Sequence, residues 1–489
     1  MELLDLLPQV RYRVLQGTVR REAGQVRCDT RELQAGDVFV CVEGYRTDGH
    51  LFAREAAARG ASALVVRRPV RCPAQVTVLQ VSDTRWALAA MSAAYWEYPA
   101  DALQVTGITG TKGKTTTAWM LREIFRQAGR RCGLVGTIET DTGERRFPSD
   151  RTTPESCRLM EYFSEMRRAG MTHAVLEVSS QALKLERTAC VPFRTGIFTN
   201  LGEDHIGPGE HESPAKYRQC KHLLFLQCEA GIGNADDPWY EEMFARTGCR
   251  KVTFGTGAGA DYRAVRIRPV RDGEGPGMAF QIAGYGGEIR LPLPGIFNVY
   301  NALAAAAAAL DTGVSFADVR AALAGISVPG RMERIRADDG RLVYVDYAHN
   351  AMSLESALLT LRPCARGRLL TVFGCGGNRA RQRRREMGRI AGRLADTVIL
   401  TSDNPRDEEP EAILRDIAAG VEETSGACLL VPDRREAVRL AVRQCRPGDV
   451  LLVAGKGHET YQEIRGARLA LDDRELVRAA LDGEKNRQG

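Results

Sequence analysis

The chain has 489 residues, 44% hydrophobic and 27% charged, with a formal net charge of +6; that length predicts about three globular domains of ~150 residues. The mild positive charge suits anionic small substrates as well as nucleic acid. Thirteen cysteines without a C-x-x-C pair read as reduced, individually buried thiols rather than a disulfide framework or a zinc site.

The start, Met1 to Pro8, is acidic and broken by proline, so no signal peptide is read. The longest apolar run, Ala302 to Leu310, is nine mostly alanine residues, too short to span a bilayer. A cytoplasmic protein without membrane insertion is expected. The first hundred residues alternate short strands and helices. Strands are read at Asp37–Val42 and Ala63–Val66, and helices at Phe52–Arg59 and Thr84–Tyr95. Tyr98 to Asp101 reads as a linker.

A strand end (Leu103, Val105, Ile108) then runs into Gly110-Thr-Lys-Gly-Lys-Thr-Thr116 and a helix beginning near Thr115. Such a turn offers backbone N–H groups and a helix N-terminus to phosphate oxygens. Lys114 can reach terminal phosphates, and the Thr115 hydroxyl can take a Mg²⁺ position. The strict G-x-x-x-x-G-K-[ST] pattern fails, because Ile108 stands at its first glycine. A nucleotide triphosphate site is expected all the same, against a flexible turn with a solvated lysine.

The pattern continues with strands at Ala174–Val178 and Gly196–Asn200, which predicts a parallel sheet with covering helices. An antiparallel, glycine-rich section (Val265 to Leu291) and an alanine-rich helix from about Val299 follow. Val328 to Arg331 reads as a second hinge. Beyond it, strands at Leu342–Asp346, Leu369–Phe373, Thr397–Leu400 and Val450–Val453 alternate with helices, as in a doubly wound domain with ligands at its strand ends. The basic run Arg379–Arg385 opens a helix, mostly as a solvated face, and Glu484 to Gly489 read as unstructured.

Polar clusters close two strands of the central sheet, at Glu177-Val-Ser-Ser180 and at Thr199 to His205. Carboxylates and hydroxyls there suit Mg²⁺ beside a phosphate loop; taken singly, each fits a helix cap equally well.

In this order, Gly110 to Thr116, Thr152-Thr-Pro154, Glu177 to Ser180, Asn234-Ala-Asp-Asp237, Gly295 to Asn298 with Asn301, Gly330-Arg331 and Asp346-Tyr-Ala-His349 resemble the motifs of Mur ligases. These are ATP-dependent enzymes that add amino acids to the peptidoglycan precursor. The resemblance covers essentially the whole chain. Asp29-Thr-Arg31, Gly36-Asp37 and Asp48-Gly49 are similar to the UDP-binding domain of the third-step (MurE) branch. Folylpolyglutamate synthetases share the central motifs but begin close to their phosphate loop.

The resemblance implies three α/β domains. They are a UDP-sugar-binding domain over 1–100, a central P-loop parallel-sheet ATPase domain over 101–328, and a C-terminal doubly wound (Rossmann-like) amino-acid-binding domain over 329–489. It implies ATP-dependent ligation of meso-diaminopimelate to UDP-N-acetylmuramoyl-L-alanyl-D-glutamate through an acyl phosphate, by a monomer that binds no nucleic acid. Lys114, Lys221 and His205 would be catalytic. ATP would lie on Gly110, Thr111, Lys112, Gly113, Lys114, Thr115, Thr116, Asn234, Asn298, Arg331 and Asp346. Two Mg²⁺ ions would be held by Thr115, Glu177, His205 and a carbamylated Lys221. Lys221 sits in Tyr217-Arg-Gln-Cys-Lys-His-Leu-Leu-Phe225, with Lys216 a competing candidate that the spacing disfavours. UDP-sugar contacts would come from Thr30, Thr152, Thr153, Ser179 and Arg187.

Asp403-Asn-Pro-Arg406 matches the form associated with meso-diaminopimelate, whose distal end carries a carboxylate that lysine lacks. Arg379, Asn404 and Arg406 would bind that carboxylate, with Asp403 and Gly455 in the same site. Glu459 would accept from the distal ammonium. The chain departs from the family at Ile206 to His211, which raises His211 as a substitute for the usual histidine, and also at Leu185, Asn350 to Met352 and Asn378. Two alternatives stand: the same ligation with L-lysine, and a P-loop regulatory ATPase without an amine acceptor.

Overall fold

The computed structural model describes residues 1–488 except Tyr45–Arg46, Glu203–His205, Pro208–Gly209 and 273–274. The chain forms two compact units. The first comprises Met1–Val265, Ile282–Gly286 and Tyr300–Leu323; the second comprises Arg266–Gln281, Gly287–Val299 and Ala324–Gly489.

The first unit carries two sheets. Strands β1 (Tyr12–Gln16), β2 (Val26–Arg27), β3 (Val38–Val40), β4 (Ala63–Val66) and β5 (Thr77–Val81) order as β1-β5-β4-β3-β2, parallel except β1. The strand read from Asp37 to Val42 is shorter. Asp37 instead turns its carboxylate to the backbone N–H groups of Gln25 and Gln34, both at 2.9 Å. The reading at Tyr98–Asp101 falls on a 3-10 turn, Pro99–Ala102, entered by Tyr98 at φ 51°.

The larger sheet of this unit contains β6 (Gln104–Thr109), β7 (Cys132–Val135), β8 (Glu139–Asp141), β9 (Arg146–Pro148), β10 (His173–Glu177), β11 (Phe193–Phe198), β12 (Cys228–Asn234) and β13 (Arg250–Gly255). Their order is β13-β12-β11-β6-β10-β7-β8-β9. All but β8 and β9 run parallel, and β6 is buried from Val105 onward, as a strand covered on both faces must be. Register decides what leaves the sheet together. Ile108 pairs with Glu177 and with Ile197, and Phe198 pairs with Gly233. The residues that follow β6, β10, β11 and β12 therefore emerge at one edge. Below them Phe163, Phe193, Phe198 and Phe225 are fully buried in one cluster, each worth about 1.5–3 kcal/mol of apolar burial.

Next in the chain come β14 (Tyr262–Asp272), β15 (Gly275–Ile282) and β16 (Ile289–Leu291), with β15 and β16 antiparallel as read. The alanine-rich helix starts at Ile296, one turn before Val299, and runs to Asp311. In the second unit β17 (Glu333–Ile335), β18 (Leu342–Asp346), β19 (Leu369–Phe373), β20 (Thr397–Leu400), β21 (Cys428–Leu430) and β22 (Val450–Ala454) form a sheet in the order β17-β18-β22-β19-β20-β21. Only β17 is antiparallel. The last strand, β22, inserts between β18 and β19, which makes a switch point beyond the strand ends. Asp346 pairs with Ala454 and Phe373 with Leu400, so Tyr347, Gly374, Thr401 and Gly455 leave at the same edge. Of the residues read as unstructured, Glu484–Gln488 continue the helix Asp473–Gln488, and Gly489 lies outside the described residues.

Candidate active site

The phosphate loop sits at the strand-end edge of the first unit. The helix Lys114–Gln127 begins with Gly113 at φ 87° and has no side-chain cap, which leaves its N-terminal turn for an anion. Gly110 has φ 154°, and a Cβ there would collide with Thr199 Oγ1. Asn200 of the neighbouring strand end holds the loop, accepting from Lys112 N at 3.0 Å and donating from Nδ2 to Lys112 O at 3.0 Å. Lys114 Nζ donates to Gly110 O at 2.7 Å and to Thr111 O at 3.2 Å.

Glu177, fully buried at the end of β10, takes three donors. They are Thr115 Oγ1 at 2.8 Å, Thr137 N at 2.8 Å and Thr137 Oγ1 at 2.9 Å. Lys221 is 1% exposed on the helix Pro214–His222, with Nζ 2.8 Å from Gly110 O and 4.5 Å from the centre of the Tyr217 ring. Lys216, by contrast, is exposed and donates to Gln219. Tyr217 Oη meets Thr111 Oγ1 at 3.1 Å. His211 is buried with Nε2 2.9 Å from Ser180 Oγ, and its ring packs 5.1 Å from that of Tyr217. A buried carboxylate, a threonine hydroxyl and a buried lysine therefore meet beside the loop. The carboxylate and the hydroxyl are oxygen donors of the kind Mg²⁺ takes, whereas the Lys221 ammonium has no lone pair to offer a metal. His205 lies outside the described residues.

Of the residues expected to meet a UDP-sugar, Thr152, Thr153, Ser179 and Arg187 adjoin this cluster. Thr152 Oγ1 is 3.0 Å from Thr137 Oγ1, and Thr153 Oγ1 donates to Glu177 O at 2.8 Å while accepting from Ser179 N at 3.1 Å. Arg187 donates to Thr153 O at 3.2 Å and pairs with Glu155 at 2.8 Å. Thr30 is buried in the N-terminal sheet region. Its loop is held near the helix Ser156–Arg168, where Cys28 and Cys157 sulfurs lie 3.9 Å apart. Ser179 caps a helix, accepting from Ala182 N. Asn234 bridges Thr199 O and Asp236 N.

In the second unit, Asp346 accepts from Met332 N at 2.7 Å, and Arg331 lies over the Tyr347 ring at 4.4 Å. Asn298 donates to Pro294 O at 2.8 Å in the first turn of its helix. A separate group gathers at the edge of the six-stranded sheet. Arg406 donates to Gly377 O at 2.7 Å and pairs with Glu463 at 3.2 Å. Gly376 lies between Arg406 and Arg379, whose Nη1 and Cγ would stand 3.0 and 4.0 Å from a Cβ there. Asn404 donates to Glu459 Oε2 at 3.0 Å. Asp403 Oδ2 is buried and, among the described residues, accepts no hydrogen bond.

Three contributors are not legible as site residues in the motifs. Thr137 completes the Glu177 shell; its position one residue past the Gly136 turn after β7 is the signal. Lys456, wholly buried, donates to Asn404 Oδ1 at 3.0 Å and Glu459 Oε2 at 2.9 Å. Arg434, also buried, pairs with Asp473 and donates to Ser402 O and Ala454 O. Two departures have local causes: Asn350 caps the helix Ala351–Leu361, and Asn378 sits at φ 57°, which asparagine tolerates. Of the basic run, Arg384 is no solvated residue; it is buried against Glu408 and Asp416.

Residues 108–309 match the model of the Mur ligase middle domain, 330–457 that of the Mur ligase glutamate ligase domain, and 23–96 that of the Mur ligase family catalytic domain. A UDP-N-acetylmuramoyl-L-alanyl-D-glutamate–2,6-diaminopimelate ligase of Geobacillus kaustophilus is 42% identical over 465 residues, covering 93% of this chain and 94% of that one. The ligase of the same name from Syntrophomonas wolfei is 37% identical over 496 residues, covering 99% and 100%. A solved structure of a ligase of that name superposes with a TM-score of 0.69 at 30% identity, covering 99% of both chains. MurF of Acinetobacter baumannii, at 21% identity and a TM-score of 0.66 over 98% of both chains, shares the fold.

Proposed function

This chain belongs to the Mur ligase family, and we propose that within it the chain joins meso-diaminopimelate to UDP-N-acetylmuramoyl-L-alanyl-D-glutamate at the expense of ATP. The observation that carries this reading is the group formed by Arg379, Asn404 and Arg406 with Asp403 and Glu459 at one sheet edge of the second unit. Guanidinium and amide donors beside the buried Asp403 and the partly buried Glu459 suit a ligand end that carries both a carboxylate and an ammonium.

A free carboxylate resists amide formation because oxide is a poor leaving group. Phosphoryl transfer from ATP to the D-glutamyl carboxylate gives an acyl phosphate. The amine then attacks the acyl carbon, and the tetrahedral intermediate collapses with loss of phosphate. The phosphate loop orients the triphosphate, and Lys114, now turned to Gly110 O and Thr111 O, swings to the transferring group. Thr115, Glu177 and Lys221, with His205, would hold Mg²⁺, which supplies charge neutralisation when bound. Lys221 serves there as a carbamate, formed when its neutral amine adds CO₂ and releases a proton. Asn234, Asn298, Arg331 and Asp346 contact the nucleotide; Thr30, Thr152, Thr153, Ser179 and Arg187 contact the UDP-sugar.

Residues 1–100, 101–328 and 329–489 act as the UDP-sugar, ATP and amino-acid domains of a cytoplasmic monomer. Among the described residues no helix is long and apolar enough to cross a membrane. Mass spectrometry of the UDP product tests the proposal. A mass gain of one diaminopimelate residue that requires ATP and Mg²⁺ is expected, and an unchanged UDP-dipeptide with ATP consumed would overturn it.

A further inference from the structure

Lys456 stands out among the buried charges of the second unit. It is 0% exposed, and its Nζ donates to Asn404 Oδ1 at 3.0 Å and to Glu459 Oε2 at 2.9 Å. The loop around it is built to turn this side chain inward. Gly455 has φ 112°, and a Cβ there would stand 2.6 Å from Asp403 Oδ2. The Tyr461 ring lies 5.5 Å from the ammonium.

The consequence falls on Asn404. Its Oδ1 accepts from both Lys456 Nζ and Glu463 N, the latter at 2.9 Å, so the carbonyl end of the amide is fixed from two sides. The Nδ2 end must then face Glu459 Oε2, 3.0 Å away, which uses one of its two protons. The amide can offer a ligand only an N–H donor. Glu459 in turn has its Oε2 occupied by Lys456 and Asn404, while Oε1 sits 3.4 Å from Tyr347 Oη. One ammonium thereby sets which face of Asn404 and which oxygen of Glu459 remain for a substrate.

We propose that Lys456 is a positioning residue for amine selection, holding Asn404 as a donor to the distal carboxylate of the amino-acid substrate and presenting Glu459 Oε1 to its distal ammonium. This rests on the reading of the second-unit group as the diaminopimelate site. L-Lysine lacks the distal carboxylate, so losing the Asn404 orientation penalises diaminopimelate more than lysine.

The test separates the amine step from the rest of the reaction. With ATP and the UDP-dipeptide but no amino acid, hydroxylamine traps the acyl phosphate as a hydroxamate, and this half-reaction needs no group near Lys456. In Lys456→Met we expect hydroxamate formation within twofold of wild type. The KM for meso-diaminopimelate should rise about 10- to 100-fold, the scale of a lost charge-assisted hydrogen-bond pair, while kcat and the KM for ATP change far less. The preference for diaminopimelate over L-lysine should fall in step. Lys456→Gln, which keeps a donor to Asn404 Oδ1, should recover part of the loss, and it decides the matter if the methionine variant fails to fold. An unchanged KM for diaminopimelate with the half-reaction intact would overturn the proposal, as would a parallel loss with both amines. Absence of hydroxamate in the wild-type protein would instead overturn the ligase reading itself.

Discussion

Replacing Arg434 by methionine probes how the second unit holds its site. The guanidinium is wholly buried and donates to both carboxylate oxygens of Asp473, at 2.8 and 2.7 Å, to Ser402 O at 3.1 Å and to Ala454 O at 2.8 Å. Methionine fills similar volume without charge. Asp473 is then a buried carboxylate without a cation, which costs about 3–5 kcal/mol, and the two carbonyls lose donors worth about 1 kcal/mol each. At roughly 2–4 °C per kcal/mol for a unit of this size, the melting transition of the second unit should fall by about 10 °C or more. Arg434→Met with Asp473→Leu removes the pair together and should regain most of the loss, leaving the two carbonyls. Because those carbonyls immediately precede Asp403 and Gly455, the KM for diaminopimelate should rise in the single variant while that for ATP holds. Melting curves read by intrinsic fluorescence make the check. A single variant that melts within about 2 °C of wild type would mean that Arg434 does not neutralise Asp473 in a sealed ion pair, since breaking one costs several kcal/mol.

Three further outcomes are expected. Arg406→Ala should lower kcat/KM for diaminopimelate by 30-fold or more, from about 2–5 kcal/mol of lost charge pairing, and initial-rate kinetics with both amines would show lysine less affected. Lys221→Ala should lower ligation by roughly 10²-fold, and wild-type protein in ¹³C-bicarbonate should give a carbamate carbon signal that the variant lacks. His173, whose ring is pushed down to about 4 by burial and by Arg130, stays uncharged when folded. The unfolded ring takes a proton near ~6.5, so stability is full above that pH and falls as pH drops toward 4. The loss is about 1–2 kcal/mol after solvent screening of this half-exposed group. His173→Gln should flatten that slope in melting curves between pH 4 and 7.

Much of the architecture is legible in the chain because parallel strands buried on both faces read as apolar runs with polar residues at their ends. Glu177 and Asp346 are such ends, and register brings each to the strand-end edge of its sheet. The phosphate loop is legible from its density of glycine, lysine and threonine alone. Arg434 and Lys456 are not, because a single cation near a helix start or between glycines has the same local signature whether it faces water or core. Arg384 carries a signal that composition hides: it lies on the same helical stripe as the buried Met387, Gly388 and Ala391. Thr137 escapes because its polar neighbours Glu139, Thr140 and Asp141 form the next strand, β8, and only the pairing of β7 with β10 brings it to Glu177.

The decisive measurement is phosphate release from ATP in the presence of UDP-N-acetylmuramoyl-L-alanyl-D-glutamate, with meso-diaminopimelate, with L-lysine and without amine. Release that depends on meso-diaminopimelate is the result expected from the donor group of Arg379, Asn404 and Arg406. Release supported by L-lysine would keep the mechanism and contradict the reading of that group, and release indifferent to UDP-dipeptide and amine alike would contradict the ligase assignment.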